Sequence, residues 1–454
     1  MNKILHMKKL AIKFKMVIAL TVLLLSQQFL PVLAQNTAPS NSVLSLEDCI
    51  AMAMKGNYDV QISANTLKMA ENNVTLAPFL PVISVESQHS SSGMNNRKYN
   101  LDGGMVTGFS TDKTLFNNAS VNWTLFDGLS MFATREKQQA LLKQGQYHFR
   151  SVTEELVMSI SVQFYRIISL QNQVNLLQEL VSISQQRYNQ ALTRYRIGSD
   201  SGLEYKQAKI YLNSDSSSLL LQKENLKNAY IELNRLMNVS LDSRYTISDS
   251  IQPLQQLDEI RLLSSAFENN TALLSIKAGE KVAMLDTKIA KADLFPTLEV
   301  SAGYGLNFSQ SPYFPSKYDE ANGFNLGFSL SIPIFNGNEV NRKIRNAKLN
   351  LSNATLEYEQ TRQSLESELR QLYNIYNNNL RMIEFEEESR DAAHLNLDAA
   401  MEKYRLGSLS GIEFRDYQQS YLNASDRKLN ALYQTKVSEI TLRLLAGDLF
   451  AKGI

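Results

Sequence analysis

The chain has 454 residues, and 46 basic residues against 45 acidic ones give it a formal net charge of +1 at pH 7. This balance provides no basic surface of the kind that binds nucleic acid. Its single cysteine, Cys49, excludes an intramolecular disulfide, and no low-complexity linker divides the chain into blocks.

Residues 1–34 are predicted to be a secretory signal peptide. An apolar run from Met16 to Leu25 follows a lysine-rich start, and Val32-Leu33-Ala34 supplies small residues for cleavage. Gln35, and not cysteine, stands directly after the predicted cleavage site, so we expect no lipid anchor at the new N-terminus. Beyond residue 34 no apolar stretch has the length of about 18 residues that a membrane-spanning helix needs, so we expect any membrane crossing to use strands.

The strongest feature of the sequence is an internal duplication. Phe126-Asp127-Gly128 matches Phe335-Asn336-Gly337, and the segment from Arg194 to Tyr205 matches the segment from Lys403 to Phe414. Both pairs are separated by 209 residues. A constant spacing indicates packed helices, since loops tolerate changes of length and packed helices do not. The predicted repeats are residues 35–256 and residues 257–454.

Each repeat is predicted to contain one long helix between two shorter ones. Apolar residues recur every three or four positions from Leu129 to Ile197, and again around Leu365. Neither stretch contains proline, and about 69 residues would make a helix about 105 Å long. An ordinary coiled-coil rod would show the same period. The shorter helices are predicted at about 46–78, 203–238, 257–294 and 412–446, and the two in each repeat could stack end to end beside the long one.

Between the first short helix and the long helix of each repeat, the period changes to two. Leu298, Val300 and Ala302 alternate with small or polar residues, as in strands with one apolar face. Such a face suits a membrane, although a soluble sheet with one buried face shows the same pattern. Strands are predicted at about 82–92, 116–126, 297–309 and 323–335, with polar loops at about 93–114 and 310–322.

Four strands cannot close a membrane barrel, because natural barrels begin at about eight strands. The unpaired edges therefore predict that several chains pool their strands. Three chains would supply twelve strands and twelve helix equivalents. Helices spaced about 10 Å apart would then enclose a lumen about 28 Å across.

The order of leader, helix, strand pair, long helix, glycine-containing turn and helix resembles the TolC-like outer-membrane efflux family over essentially the whole mature chain. The most specific likeness lies in the two turns, Tyr195 to Glu204 and Tyr404 to Glu413. The Phe-Asp-Gly and Phe-Asn-Gly segments also resemble the strand-to-helix junction of the family. Its usual second glycine is replaced here by Leu129 and Asn338, a departure that we expect to be minor.

This resemblance implies an α+β membrane protein with an internal duplication. A homotrimer would carry a transmembrane β-barrel in the outer membrane, with four strands per protomer, continuous with a long coiled-coil α-helical barrel that forms a tunnel through the periplasm. Its partners would be outer-membrane lipid, a periplasmic adaptor (membrane fusion) protein and, indirectly, an inner-membrane transporter. No nucleic acid, cofactor, catalytic residue or metal ligand is expected, since the histidines of the mature chain match no metal or triad spacing.

The implied function is that of a passive exit duct in a tripartite efflux system, and the chain is not expected to be an enzyme. Two alternatives remain open at this point. One is the outer-membrane component of a type I protein secretion system, which shares the architecture. The other is a periplasmic coiled-coil scaffold that forms no channel.

Helix capping accounts for the residue types of both turns. Gly198 and Gly407 suit the C-cap, basic residues suit the last helical turn, and two Ser-to-Glu pairs have capping-box spacing. The resemblance adds that the tips dock on the adaptor. The predicted docking residues are Arg196, Gly198, Ser199, Ser201, Gly202, Arg405, Gly407, Ser408, Ser410 and Gly411.

The resemblance also implies a gate at the periplasmic mouth. Glu413 and Asp416 match the acidic positions that ring it and lie three residues apart, on one helix face. Six such carboxylates in a trimer would attract cations, and mutual repulsion would raise some of their pKa values. Glu413 has the alternative role of closing a capping box. The resemblance pairs Tyr404 with Glu204 in the closed state, whereas Leu409 replaces a basic residue of the family. We therefore expect a leakier or differently latched closed state.

Overall fold

The computed structural model describes residues 43–99, 104–199, 202–247, 249–253, 257–310 and 318–449. The predicted signal peptide, residues 1–34, and the predicted docking residue Ser201 lie outside them. In chain order the described helices are α1 (Leu46–Gly56), α2 (Tyr58–Asn73), α3 (Ser130–Arg196), α4 (Leu203–Met237), α5 (Glu259–Asn269), α6 (Thr271–Ala292), α7 (Glu339–Arg405) and α8 (Gly411–Leu445). The described strands are β1 (Val43–Leu44), β2 (Val82–Tyr99), β3 (Met105–Asp127), β4 (Thr246–Ile247), β5 (Thr297–Gln310) and β6 (Tyr318–Ser331).

The two long helices, α3 and α7, have 67 residues each and begin and end at matching positions of the two repeats. At 1.5 Å per residue each is about 100 Å long. Helix α3 packs against α4, α6 and α8, and α7 packs against α6 and α8. The long helices therefore run side by side with the shorter ones, as the internal duplication predicts.

The short helices that open the repeats are each broken in two, which corrects the prediction of single helices at about 46–78 and 257–294. The breaks fall at Asn57 and Asn270, whose backbones are extended, with ψ of 132° and 121°. Each asparagine side chain accepts hydrogen bonds from backbone N–H groups of the following helix. Asparagine caps helices in this way, so the break costs little. Sequence periodicity continues across the break and does not reveal it.

The same two asparagines join the short helices of each repeat end to end. Asn57 donates its side-chain N–H to the carbonyl oxygen of Leu236 at 3.0 Å, near the end of α4. Asn270 donates to the carbonyl oxygen of Leu445 at 3.0 Å, at the end of α8. Each bond satisfies a helix-end carbonyl that has no partner within its own helix.

The largest buried cluster lies where the repeats join. Strand β1 pairs in parallel with β4, and Phe164, Leu233 and Tyr245 pack beneath this pair. Cys49 is fully buried in the same cluster. Burial raises the pKa of its thiol to about 12, so the thiol stays protonated and unreactive at neutral pH.

The four longer strands form one antiparallel sheet in the order β2-β3-β5-β6. The β2–β3 ladder runs from Val82 opposite Asn122 to Tyr99 opposite Met105, so most of the segment 93–114 is strand and not the predicted loop. Backbone N–H and C=O groups pair whatever the side chains are, so the ladder continues beyond the apolar residues that the sequence pattern detects.

Strand β6 also differs from its prediction at about 323–335. It begins at Tyr318 and ends at Ser331, two residues before Pro333. Proline has no N–H to donate to a ladder, so the strand ends before Pro333. The alternating apolar residues run on beyond this point, and for this reason the sequence pattern predicted a later end.

Within the described sheet, β2 and β6 each have one neighbouring strand, so each leaves one edge unpaired. Phe324, Phe328 and Leu330 on β6 are all more than half exposed. Among the described helices, none combines the length and apolar character required to cross a membrane.

The junctions between strand and long helix contain consecutive residues with left-handed backbone. Gly128 and Leu129 have φ of 68° and 72°, and Gly337 and Asn338 have φ of 63° and 64°. Asparagine tolerates this conformation, whereas leucine carries a Cβ that crowds the carbonyl oxygen. Leu129 therefore has a strained backbone at the position of the second glycine. Its replacement of that glycine, which we expected to be minor, has an energetic cost.

We expect Leu129→Gly to stabilise the folded protein by about 1 kcal/mol, because glycine adopts positive φ without strain. The check is the unfolding temperature of the purified protein in detergent. Asn338→Gly is the matched control and should change stability less, since asparagine already tolerates this backbone. A lower unfolding temperature for Leu129→Gly would contradict the assignment of strain.

Candidate functional site

Both long helices end in the same backbone turn. In the first tip, Gly198 has φ of 78° and its N–H donates to the carbonyl oxygen of Tyr195 at 3.0 Å. The N–H of Ser199 donates to the carbonyl oxygen of Arg194 at 2.9 Å. This pair of bonds is a Schellman motif, which requires a left-handed residue after the helix. The second tip repeats the bonds and the φ of 78° with Gly407, Ser408, Tyr404 and Lys403.

The predicted docking residues divide by exposure. Gly202 and Gly411 are buried, so they do not belong to an exposed docking surface. A Cβ on Gly202 would lie 2.8 Å from the Tyr195 ring, and one on Gly411 would collide with the carboxylate of Glu204. These glycines allow close packing within the chain. The predicted docking residues that are exposed are Arg196, Gly198, Ser199, Arg405, Gly407, Ser408 and Ser410.

Two apolar residues at the tips were missed by sequence reasoning. Ile197 and Leu406 are 74% and 76% exposed, and each directly precedes a tip glycine. They occupy equivalent positions of the two repeats, so the sequence alignment of the turns could have identified them. Each tip therefore presents an apolar side chain beside basic and hydroxyl groups.

The two predicted capping boxes have different outcomes. At the second tip Ser410 is the N-cap of α8, and it exchanges hydrogen bonds with Glu413 as predicted. At the first tip the N-cap of α4 is Gly202, so Glu204 is the second helical residue and not the third. A capping box needs the acid at the third position, which Glu204 does not occupy, and Ser201, the other residue of the predicted pair, lies outside the described residues.

The two predicted gate acids, Glu413 and Asp416, are both exposed near the start of α8. The Ser410 hydroxyl and N–H donate to the Glu413 carboxylate at 2.8 and 3.0 Å. These bonds lower the pKa of Glu413, because they stabilise its charged form. The increase in pKa expected from mutual repulsion concerned carboxylates of several protomers in a ring. The capping bonds act within one protomer and lower the pKa.

Tyr404 and Glu204 meet, joining the end of α7 to the start of α4. The Tyr404 hydroxyl donates to Glu204 Oε1 at 3.1 Å. The tyrosine is buried, and this burial raises the pKa of its hydroxyl. Leu409, which replaces the basic residue of the family, packs half-buried against the apolar cluster around this pair.

A buried arginine, Arg187 of α3, completes this contact and was not predicted. Its Nη2 lies 3.3 Å from Glu204 Oε1, the atom that Tyr404 also contacts. Its guanidinium lies 5.1 Å from the ring centre of Tyr211 and 5.7 Å from that of Tyr404. Nε and Nη1 have no hydrogen-bond partner among the described residues, and the nearby rings offer them π faces. Its spacing of seven residues from buried Leu180 places it on the same face of α3, which signals its burial and does not identify its partners.

A four-stranded sheet with exposed apolar residues, helices about 100 Å long and two matching tips together form an elongated α+β architecture of the kind found in subunits of tubular outer-membrane channels.

The chain belongs to the outer membrane efflux protein family, whose model matches residues 50–239 and 262–448. The two matched segments fall one in each repeat. TolC of Escherichia coli strain K12 is 22% identical over 317 residues, which cover 66% of this chain and 63% of that protein. The match thus spans less than two thirds of the length of TolC.

Two further relatives cover more of the chain. CusC, a cation efflux system protein of Escherichia coli O157:H7, is 23% identical over 408 residues, covering 88% of this chain and 85% of that protein. AprF, an alkaline protease secretion protein of Pseudomonas aeruginosa, is 21% identical over 339 residues, covering 73% of this chain and 69% of that protein.

The fold is shared with solved outer-membrane channels. The Campylobacter jejuni CmeC outer membrane channel has a TM-score of 0.74 at 17% identity, covering 93% of this chain and 91% of that one. A crystal structure of CusC has a TM-score of 0.71 at 18% identity, covering 92% of this chain and 95% of that one. Likeness at this level of identity shows the fold alone.

Proposed function

We propose that three copies of this chain form an exit duct in the outer membrane. The duct conducts substrates passively from an inner-membrane transporter and a periplasmic adaptor to the cell exterior, and it catalyses no reaction. The observation that carries this proposal is the four-stranded sheet with two unpaired edges and exposed apolar side chains. Unpaired edges need partner strands, and exposed apolar residues need lipid or protein cover.

Pairing β6 of one protomer with β2 of the next removes both edges in a closed ring. Three protomers then supply twelve strands, within the range of natural outer-membrane barrels. The helices continue this ring as a tunnel about 100 Å long, long enough to extend well below the membrane.

The tips are the proposed docking surface for the adaptor. Two similar tips per chain and three chains would present six related sites around the mouth. Exposed Ile197 and Leu406 supply apolar anchors there, and Arg196 and Arg405 supply polar ones. An apolar anchor surrounded by polar groups is a common form of protein interface.

The proposed gate has two parts. Glu413 and Asp416 form an acidic ring at the mouth that favours cations. Tyr404 and Glu204 hold the tip closed, with Arg187 supplying a positive charge beside Glu204 in place of the basic residue lost at Leu409. All three residues of this contact come from one protomer, so each protomer would carry its own closing contact.

A second candidate is the outer component of a type I protein secretion system, which the similarity to AprF favours. Both functions use the same duct, and the transporter and adaptor decide the cargo. Export of a protein substrate by cells that carry the cognate transporter would favour secretion. A periplasmic scaffold that forms no channel is the remaining alternative, and it predicts a protein that is soluble without detergent.

We expect the protein extracted from outer membranes in mild detergent to be a stable trimer, and to form ion-conducting channels in planar lipid bilayers. Size-exclusion chromatography with light scattering gives the oligomeric state, and single-channel recording gives the conductance. A monodisperse monomer, or a trimer that conducts no ions, would contradict the proposal. A protein that fractionates as soluble without detergent would indicate the scaffold.

A further inference from the structure

The hairpin of α3 and α4 packs against the hairpin of α7 and α8, and we call this contact the seam. Two acids on α4 cross it, Glu204 and Asp215. They lie eleven residues apart, which is about three helical turns and about 16 Å along one face of the helix. Glu204 belongs to the tip link, defined as Glu204, Tyr404 and Arg187. Asp215 belongs to the upper link, defined as Asp215, Arg415, Ser184 and Gln418.

The upper link is a closed ring of hydrogen bonds. Arg415 donates from Nη1 and Nη2 to the two carboxylate oxygens of Asp215, both at 2.8 Å. Ser184 donates to Asp215 at 2.5 Å and accepts from Gln418 at 2.8 Å. Arg415 also donates to Gln418 Oε1 at 3.1 Å, which closes the ring. Asp215, Ser184 and Gln418 are buried, so water competes little for these bonds.

The tip link is weaker by the same criteria. Glu204 accepts single hydrogen bonds, at 3.1 Å from Tyr404 and 3.3 Å from Arg187, and its side chain is one quarter exposed. A bidentate arginine–carboxylate pair holds its geometry more firmly than single contacts near solvent. Arg194 Nη2 also crosses the seam at the tip, where it donates to the carbonyl oxygens of Tyr404 and Arg405 at 2.6 and 3.2 Å. These bonds lie near solvent as the tip link does, so a force that parts the hairpins at the tip breaks both before the buried upper link.

The duplication shows that only one kind of seam can contain the upper link. In a trimer a second kind of seam forms between neighbouring protomers, where the α7–α8 hairpin of one meets the α3–α4 hairpin of the next. Because the two repeats are equivalent, each position of the first seam is occupied in the second by the residue 209 positions away in the sequence. Glu204 and Tyr404 have the counterparts Glu413 and Tyr195, so this second seam retains an acid and a tyrosine for a tip link. The four residues of the upper link have the counterparts Ala424, Lys206, Ala393 and Lys209, which cannot form the same ring.

We propose that the upper link is a fixed point that holds the two hairpins of each protomer together while the mouth opens. The hairpins part below it, where the tip link breaks, and any opening higher up occurs at the seams between protomers. This inference rests on the proposed function, because it assumes a channel that opens at its tips.

The test uses potassium chloride conductance of the purified trimer in planar bilayers. Tyr404→Phe with Glu204→Ala and Arg194→Ala removes the tip link and the two bonds that Arg194 donates beside it, and should raise the conductance. In this background, Asp215→Cys with Arg415→Cys is cross-linked by a short bifunctional thiol reagent. We expect the cross-linked channel to keep the raised conductance. Buried Cys49 should not react, so the same background without added cysteines is the control for the reagent.

Ser184→Cys with Gln418→Cys is a second cross-linking pair that leaves the Asp215–Arg415 ion pair in place. It should give the same result, and it replaces the first pair if that one prevents trimer assembly. A return to the low parental conductance on cross-linking would overturn the fixed point, because it would show that this part of the seam must open. An unchanged conductance after removal of the tip link would also overturn it. Absence of conductance in the parent protein would instead contradict the proposed function.

Discussion

The double variant Glu413→Ala with Asp416→Ala should lose the block by trivalent cations that we expect of the parent channel. The two side chains are exposed and three residues apart on α8, so three protomers would place six carboxylates around the mouth. Attraction between a trivalent ion and several carboxylates is additive at short range. We therefore expect the blocking concentration to rise by about a hundredfold or more when all six are removed.

The measurement is planar-bilayer conductance with the trivalent ion added on the tip side. Ser410→Ala is the matched control, because it removes the hydroxyl that caps α8 and leaves both carboxylates in place. It should be blocked almost as strongly as the parent. If the double variant is blocked as strongly as the parent, the acidic ring is assigned to the wrong residues.

The block should also depend on pH in a defined direction. The bonds from Ser410 lower the pKa of Glu413, so its carboxylate remains charged at neutral pH and loses its charge over a lower pH range than an ordinary glutamate does. Block should therefore persist through neutral pH and weaken as the pH falls through that lower range.

Gly407→Val and Gly198→Val should abolish export while trimer assembly and membrane insertion remain normal. Both glycines have φ of 78°, which a β-branched residue adopts only at a cost of about 1 to 2 kcal/mol. The space around them is open. An added Cβ meets nothing within 4 Å at Gly198 and only Arg194 Nη2, at 3.9 Å, at Gly407. The expected defect is therefore a changed backbone at the docking surface and not a disturbed core.

Export is measured as the resistance that the gene restores to a strain lacking it, and assembly as the amount of detergent-stable trimer in outer membranes. Gly198→Asn and Gly407→Asn are the matched controls, because asparagine tolerates the left-handed backbone and should preserve export. Valine variants with normal trimer and full export would show that the tips do not contact the adaptor. Loss of the trimer itself would show a structural role instead.

Much of this architecture was predictable because its signals are periodic or local. The spacing of 209 residues between matching motifs predicted the duplication, and the helical period predicted both long helices. The tip glycines predicted left-handed turns, since a Schellman motif involves only residues within six positions of one another. Each of these features is determined by neighbours along the chain.

Other features appear only when distant parts of the chain pack together. The breaks at Asn57 and Asn270 do not interrupt the apolar pattern, and each is stabilised by a bond to another helix at least 175 residues away. The strained Leu129 is held where a strand must turn into a long helix. The ladder between β2 and β3 extends beyond the apolar residues because backbone pairing does not depend on side-chain polarity.

The contacts at the tips show most clearly which features are determined by neighbours along the chain and which require distant parts of the chain to pack together. The resemblance of the turns supplied Tyr404 and Glu204, but nothing in the sequence indicated that Arg187 lies beside them. Asp215 and Arg415 are 200 residues apart, and no periodic or local pattern relates them. Sequence determined the lengths of the two long helices through their period, and the turns that end them through local capping. Tertiary structure decided which buried charges meet, because a charge can remain buried only where packing brings it a partner.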